Sequence, residues 1–328
     1  MLTARENMER TVFGGEPDRY VNQYEAIKLL FSPFNLHSPM AQKGEPPIVN
    51  AWGVTNVFPE NTPGGFPVHT PDKILVKDIE RWDEYVHAPS LKFSDEEWGM
   101  FKAQYDSIDR SKAYVATFIA PGLFEQTHHF CSIDQALMYY ITNPDEMHDM
   151  IKLLTDWELE FAEGICSNLH PDAIFHHDDW GSQNSTFMSV PMFEEFFLDA
   201  YKEIYGYYKS HGVELIVHHS DSYAATLVPD MIEMGIDIWQ GVMTTNDIPA
   251  LIKKYGGQIT FMGGIDSAKV DFPGWTKEDI IREVHKACDE CGKLYFIPNA
   301  SQGLAMSTFP GVYEALSEEI DAYSKIKF

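Results

Sequence analysis

The chain has 328 residues, with 24 Lys and Arg against 50 Asp and Glu, a formal net charge of −26. So acidic a surface repels phosphate and anionic lipid, which excludes a charge-driven nucleic-acid binder and a membrane-surface protein. With 44% hydrophobic and 13% aromatic residues the chain can bury a core and is not disordered, and no run of about 18 apolar residues suggests a transmembrane helix.

The opening stretch from Met1 to Arg10 mixes charges and lacks an apolar segment, so no signal peptide is expected. Cys131, Cys166, Cys288 and Cys291 are too few for a disulfide framework, and a cytoplasmic setting is expected. Thirteen histidines stand beside those few thiols. A metal site would therefore lean on nitrogen and oxygen donors.

The first 110 residues read as an irregular extension. Asn50 to Pro71 is rich in Gly, Pro and Asn and reads as a long loop, with Pro47 to Ala51 a candidate early strand. Regular alternation starts near residue 110. Short apolar runs at 114–120, 172–176, 213–218, 236–239, 259–262 and 294–297 read as strands buried on both faces. Helices are predicted over about 144–168, 191–205, 224–234, 246–256, 276–291 and 310–326, with Thr276 as one cap. Six strand–helix units, with two more placed in the first 110 residues, give an α/β fold: a single (β/α)8 TIM-type barrel domain over residues 1–328 with an N-terminal extension. An open doubly wound sheet would carry a Gly-rich turn after its first strand, and none is present.

Polar residues collect after the strands. The run at 172–176 leads into His177, Asp178, Asp179, Trp180 and Gln183; that at 213–218 leads into His219 and Asp221; Gln240 follows the next, and Asn299 follows the last. In a barrel these positions share the C-terminal face, where chemistry is carried. Asp, Asn, Ser and Gly after a strand also serve as turn formers and helix caps. Histidine beside carboxylate, twice, is the composition of a metal site with N and O donors, or of an acid/base pair. Glu125, His128 and His129 follow an earlier strand and could extend such a site. The Cys288–Cys291 spacing lies late on an amphipathic helix, without a second pair, and reads as a surface or half-buried feature.

The stretch from about 172 to 270 resembles the uroporphyrinogen decarboxylase superfamily, especially its cobamide-dependent methyltransferase branch. The likeness lies in His177-Asp-Asp-Trp-Gly-Ser-Gln183, Met192-Phe-Glu-Glu-Phe196, Leu227-Val-Pro-Asp-Met-Ile-Glu-Met-Gly235 and Gly263-Gly-Ile-Asp266, and in the opening from Thr3 to Arg19. The Arg-bearing N-terminal motif of uroporphyrinogen decarboxylase proper is missing. Branch members that methylate a thiol hold zinc with His-x-Cys and a later Cys. Here Asp221 stands at the first Cys position and Asn299-Ala-Ser301 near the second, so a metal would be a harder Lewis acid suited to an oxygen substrate.

The resemblance implies a methyltransferase I of the bacterial O-demethylase type. Such a protein moves a methyl group from a methoxylated aromatic to the cobalt of a corrinoid (cobalamin-type) protein. It implies zinc and a corrinoid carried by a partner protein. His219, Asp221, Asp178 and Asp179 are the expected catalytic residues, with His219, Asp221 and Asp178 as metal ligands. His177, Gln183, Gln240, Asn299 and Trp180 are expected to hold substrate. Another small methyl donor, a porphyrinogen-type decarboxylation and a non-catalytic ligand-binding relative are the alternatives.

Overall fold

The computed structural model describes residues 1–302 and 304–328. Seven parallel strands form the main sheet: β1 (Ile27–Leu30), β5 (Tyr114–Ile119), β6 (Ala173–His177), β7 (Leu215–His219), β8 (Ile238–Val242), β9 (Thr260–Ile265) and β10 (Phe296–Ala300), hydrogen-bonded in that order. Helices alternate with them, including Pro144–Asn168, Asp199–Ser210, Val228–Glu233, Ile248–Tyr255, Lys277–Cys291 and Val312–Lys327. This is the expected α/β barrel-type architecture. Thr276 caps the helix Lys277–Cys291 in a reciprocal capping box with Asp279.

The sheet curls around its own apolar interior. Ile27, Tyr114, Ala116, Ala173, Phe175, Leu215, Val217, Ile238, Met262 and Ile297, from all seven strands, share one buried cluster with Met8 and Val12 of the helix Ala4–Phe13. Inward and outward residues alternate along each strand, as a strand's period of two demands. A larger apolar layer lies between strands and helices and contains Phe161, Ile174, Ile204, Ile216 and Trp239.

Two expectations about the early chain are corrected. The barrel strand lies at Ile27–Leu30, not at 47–51, and seven parallel strands rather than eight pair among the described residues. Ile48–Val49 (β2) joins Thr55–Val57 (β3) and Phe66–Pro67 (β4) in a small antiparallel sheet outside the barrel. The reason is local. Two apolar residues in a Pro-, Gly- and Asn-rich stretch cannot supply a strand buried on both faces. The Cys288–Cys291 pair is also deeper than expected. Both thiols are buried, free and packed into the layer under the helices. Among the described residues no helix is long and apolar enough to cross a membrane.

Candidate functional site

Two His-His dipeptides end adjacent strands in register. His176 pairs with His218, and His177 with His219. Strand alternation then sorts them. His176 and His218 turn to the helix layer, where His176 contacts Glu158 through Nε2 and His218 Nδ1 meets the Tyr205 hydroxyl at 2.8 Å. His177 and His219 sit two residues beyond the interior apolar residues Phe175 and Val217, so they form the next inward layer. Their rings stack with centroids 4.4 Å apart. Gln240 and Asn299 follow Ile238 and Ile297 by the same two-residue step.

Both inward histidines have one ring nitrogen fixed from behind. His177 Nδ1 pairs with Glu125 Oε2 at 2.8 Å. His219 Nδ1 hydrogen-bonds Gln240 Oε1. An amide oxygen only accepts, so the His219 proton sits on Nδ1 and Nε2 carries the lone pair. That Nε2 lies 3.7 Å from Asp179 Oδ1, which itself accepts the backbone N–H of Asp221 at 2.8 Å. His177, Asp179 and His219 each offer a ligand atom, all within 4.8 Å of one another.

The charges are strongly coupled. Burial, then the cation of His177, pushes His219 down to about 4, so it is neutral. Burial opposes a charge on His177, but Glu125, Asp179 and Asp221 raise it to about 10. Burial raises Glu125 to about 7 even beside His177. Asp221 is held well above the usual carboxylate range by burial and by Asp179. A cationic imidazole, a neutral imidazole and a carboxyl whose charge burial opposes therefore face one space.

That space is a cavity of about 590 Å³. Its floor carries Glu125, His128, His129, His177, Asp179, His219 and Asp221. Its walls are aromatic, from Phe118 of β5, Trp157 and Phe161 of the helix Pro144–Asn168, and Trp52, Phe58 and Phe66 of the small sheet region. The irregular extension thus roofs the barrel mouth. Among the described lining residues there is no Lys or Arg.

The structure gives Asp178 a different job from the expected ligand. It is fully buried and does not line the cavity. Its carboxylate accepts from Phe124 N at 3.0 Å, Glu125 N at 2.7 Å, Trp180 Nε1 at 2.9 Å and the Tyr201 hydroxyl. It therefore caps the helix Leu123–Phe130, whose own N-cap residue, Gly122, has no side chain. A Cβ on Gly122 would lie 2.5 Å from the Asp178 Cβ, so this cap requires glycine there. The cap aims Glu125 at His177.

The expected substrate contacts divide. His177 lines the cavity, as do Asp179, His219 and Asp221. Trp180 is buried over His218, with ring centroids 3.9 Å apart. Gln240 stands behind His219, and Asn299 is buried outside the lining. Gln183 is exposed on the loop after β6. None of these four reaches the cavity. Trp52, Phe58 and Phe66 are wall residues that sequence reasoning missed. Their aromatic character inside a loop-like stretch was the available signal.

A family model described as uroporphyrinogen decarboxylase (URO-D) matches residues 129–323. The chain belongs to that family. Among solved structures it is similar to a methyltransferase from Methanosarcina mazei, with a TM-score of 0.68 and 14% identity, covering 98% of this chain and 99% of that one. It is more distantly similar to a putative vitamin-B12 independent methionine synthase from Listeria monocytogenes, at TM-score 0.39 and 9% identity over 74% of this chain and 71% of that one. No curated protein sequence matches the chain.

Zinc, which the family resemblance implies, fits the donors present. His219 offers a neutral Nε2 with its tautomer fixed, Asp179 a carboxylate oxygen, and His177 a nitrogen supported by Glu125. Thiolates are no part of this set, since all four cysteines are buried and outside the cavity lining.

Proposed function

We propose that this protein is a methyltransferase that takes the methyl group from the oxygen of a small methoxylated aromatic and delivers it to the cobalt of a corrinoid protein in the cytoplasm. The observation that carries this reading is the aromatic-walled cavity that ends on the His177, Asp179, His219 and Asp221 cluster. A flat apolar ring suits such walls, and a single ether oxygen suits such a floor.

Cleaving an aryl ether towards a nucleophile leaves a phenolate. The chain's task is to take charge off that oxygen as the C–O bond breaks. Asp221, whose burial beside Asp179 favours the protonated form, can give the leaving oxygen a proton, and the His177 cation stabilises negative charge beside it. A zinc ion held by Asp179, His219 and a His177 that has given up its proton would supply Lewis acidity at the same oxygen in place of that cation. Trp52, Phe118 and Trp157 exclude water and orient the ring. The absence of Lys and Arg from the described lining argues against a polycarboxylate porphyrinogen as substrate.

The test is a spectroscopic assay with a Co(I) corrinoid protein and a panel of methoxyarenes. Methyl–cobalt formation with at least one arene, lost in His219→Ala, is the expected result. No methyl–cobalt signal from any arene, or methylation only from non-aromatic donors, overturns the reading.

A further inference from the structure

Beside the His177, Asp179 and His219 donors lies a second set on a single helix. Glu125, His128 and His129 occupy positions i, i+3 and i+4 of Leu123–Phe130, so they share one face. Their ligand atoms lie within 4.8 Å of one another, and all three residues line the cavity. The His128 and His129 rings are 4.9 Å apart.

Their hydrogen bonding is incomplete. Nδ1 of His128 and Nδ1 of His129 are both buried without a partner, as is Nε2 of His69, whose ring lies 6.4 Å from that of His128. Buried polar atoms are almost always paired, so two orphaned imidazole nitrogens on neighbouring residues of one metal-capable group call for a ligand. A neutral imidazole carries one lone-pair nitrogen, which a cation satisfies and a hydrogen-bond acceptor does not. Burial, then repulsion from His69, keeps His128 at about 4, and burial, then His128 and His69, keeps His129 well below its ordinary value, so both are neutral. Glu125 gives Oε2 to His177, which leaves its other oxygen for this side. Separations up to 4.8 Å close by small side-chain rotations to the roughly 3.3–3.5 Å edges of a tetrahedral Zn2+ or Co2+ site.

We propose that Glu125, His128 and His129 form a second divalent-cation site, so that the cavity floor holds two ions, linked by the hydrogen bond from His177 of the first ligand set to Glu125 of the second. The second ion is not required for the methyl-transfer reading, and either can fail alone.

Apo protein, prepared with a chelator, is titrated with Co2+ while the d–d absorption is followed, and the bound metal is counted after dialysis. Two equivalents are expected in the wild type. His128→Ala/His129→Ala should retain one, and His219→Ala should also retain one, at the helix site. In His219→Ala, adding His129→Asn should weaken the remaining equivalent by about tenfold or more. One equivalent in the wild type, or two in the His128→Ala/His129→Ala protein, overturns the proposal. The wild-type count decides even if a variant fails to fold.

Discussion

The Nδ1 of His219, at the end of β7, is hydrogen-bonded to the Oε1 of Gln240 on β8. This contact fixes the tautomer and presents Nε2 to Asp179 and the cavity. Outer partners of this kind set a ligand's basicity and orientation. Gln240→Leu should therefore weaken Zn2+ or Co2+ binding by about 10–100-fold, while Gln240→Glu should keep most of it. Competition with a chromophoric chelator measures both. Equal affinity in wild type and Gln240→Leu would show that His219 is not held for a metal.

Gly241 makes a second, steric claim on the same ring. Its φ is +89°, and a Cβ there would lie 2.8 Å from His219 Cε1 and 2.9 Å from Nδ1. Gly241→Ala must shift His219 or the strand, and it adds backbone strain. A stability loss of about 1–3 kcal/mol is expected, with metal affinity falling further than His219-independent ligand binding. Thermal melts and metal titration check this together. A folded variant with wild-type metal affinity would contradict the close packing.

How much of this was legible beforehand depends on the kind of signal. The six later strands and their helices were readable because apolar runs and amphipathic stripes repeat with fixed periods. His177, Asp179, His219 and Asp221 were readable as a group because each follows such a strand. Asp178 was not separable from Asp179 by type. Only the fold shows that it reaches back to the amides of Phe124 and Glu125, which lie more than fifty positions earlier in the chain. Gln240 was recognised as important and given the wrong partner, since parity places it inward but not beside a particular ring. The first barrel strand, Ile27–Leu30, is only four residues long with Lys28 exposed, so it carries little periodicity. The aromatic roof is built by contacts between distant segments, which no local pattern encodes.

The cap role of Asp178 can be separated from ligation. Its carboxylate accepts from four donors, and Asn offers one oxygen and an NH2 that would face them. Asp178→Asn should lose about 2–4 kcal/mol in urea unfolding, because buried donors are left unpaired. The apo protein should lose as much as the metal-loaded one. A loss confined to the metal-loaded form would instead make Asp178 a ligand.

A pH effect is expected far from the cavity, at Asp230 in the first turn of the helix Val228–Glu233. Its side chain is buried, Oδ2 has no hydrogen-bond partner, and burial together with Glu194 and Glu233 raises it from 3.8 to about 6. The helix N-terminus favours the charged form but does not prevail. In the folded protein Asp230 keeps its proton to higher pH than in the unfolded chain. Its contribution is therefore fully present below about pH 4, is lost as pH rises through about 6, and is flat above that. Asp230→Asn removes the dependence. Discounted for partial solvent screening, the variant should be more stable than wild type by about 1–2 kcal/mol at pH 7 and nearly equal to it at pH 4. Urea unfolding of both proteins at pH 4, 5, 6 and 7 measures the difference directly. A difference that stays constant across this range, or a variant less stable at pH 7, would show that Asp230 ionises normally in the fold.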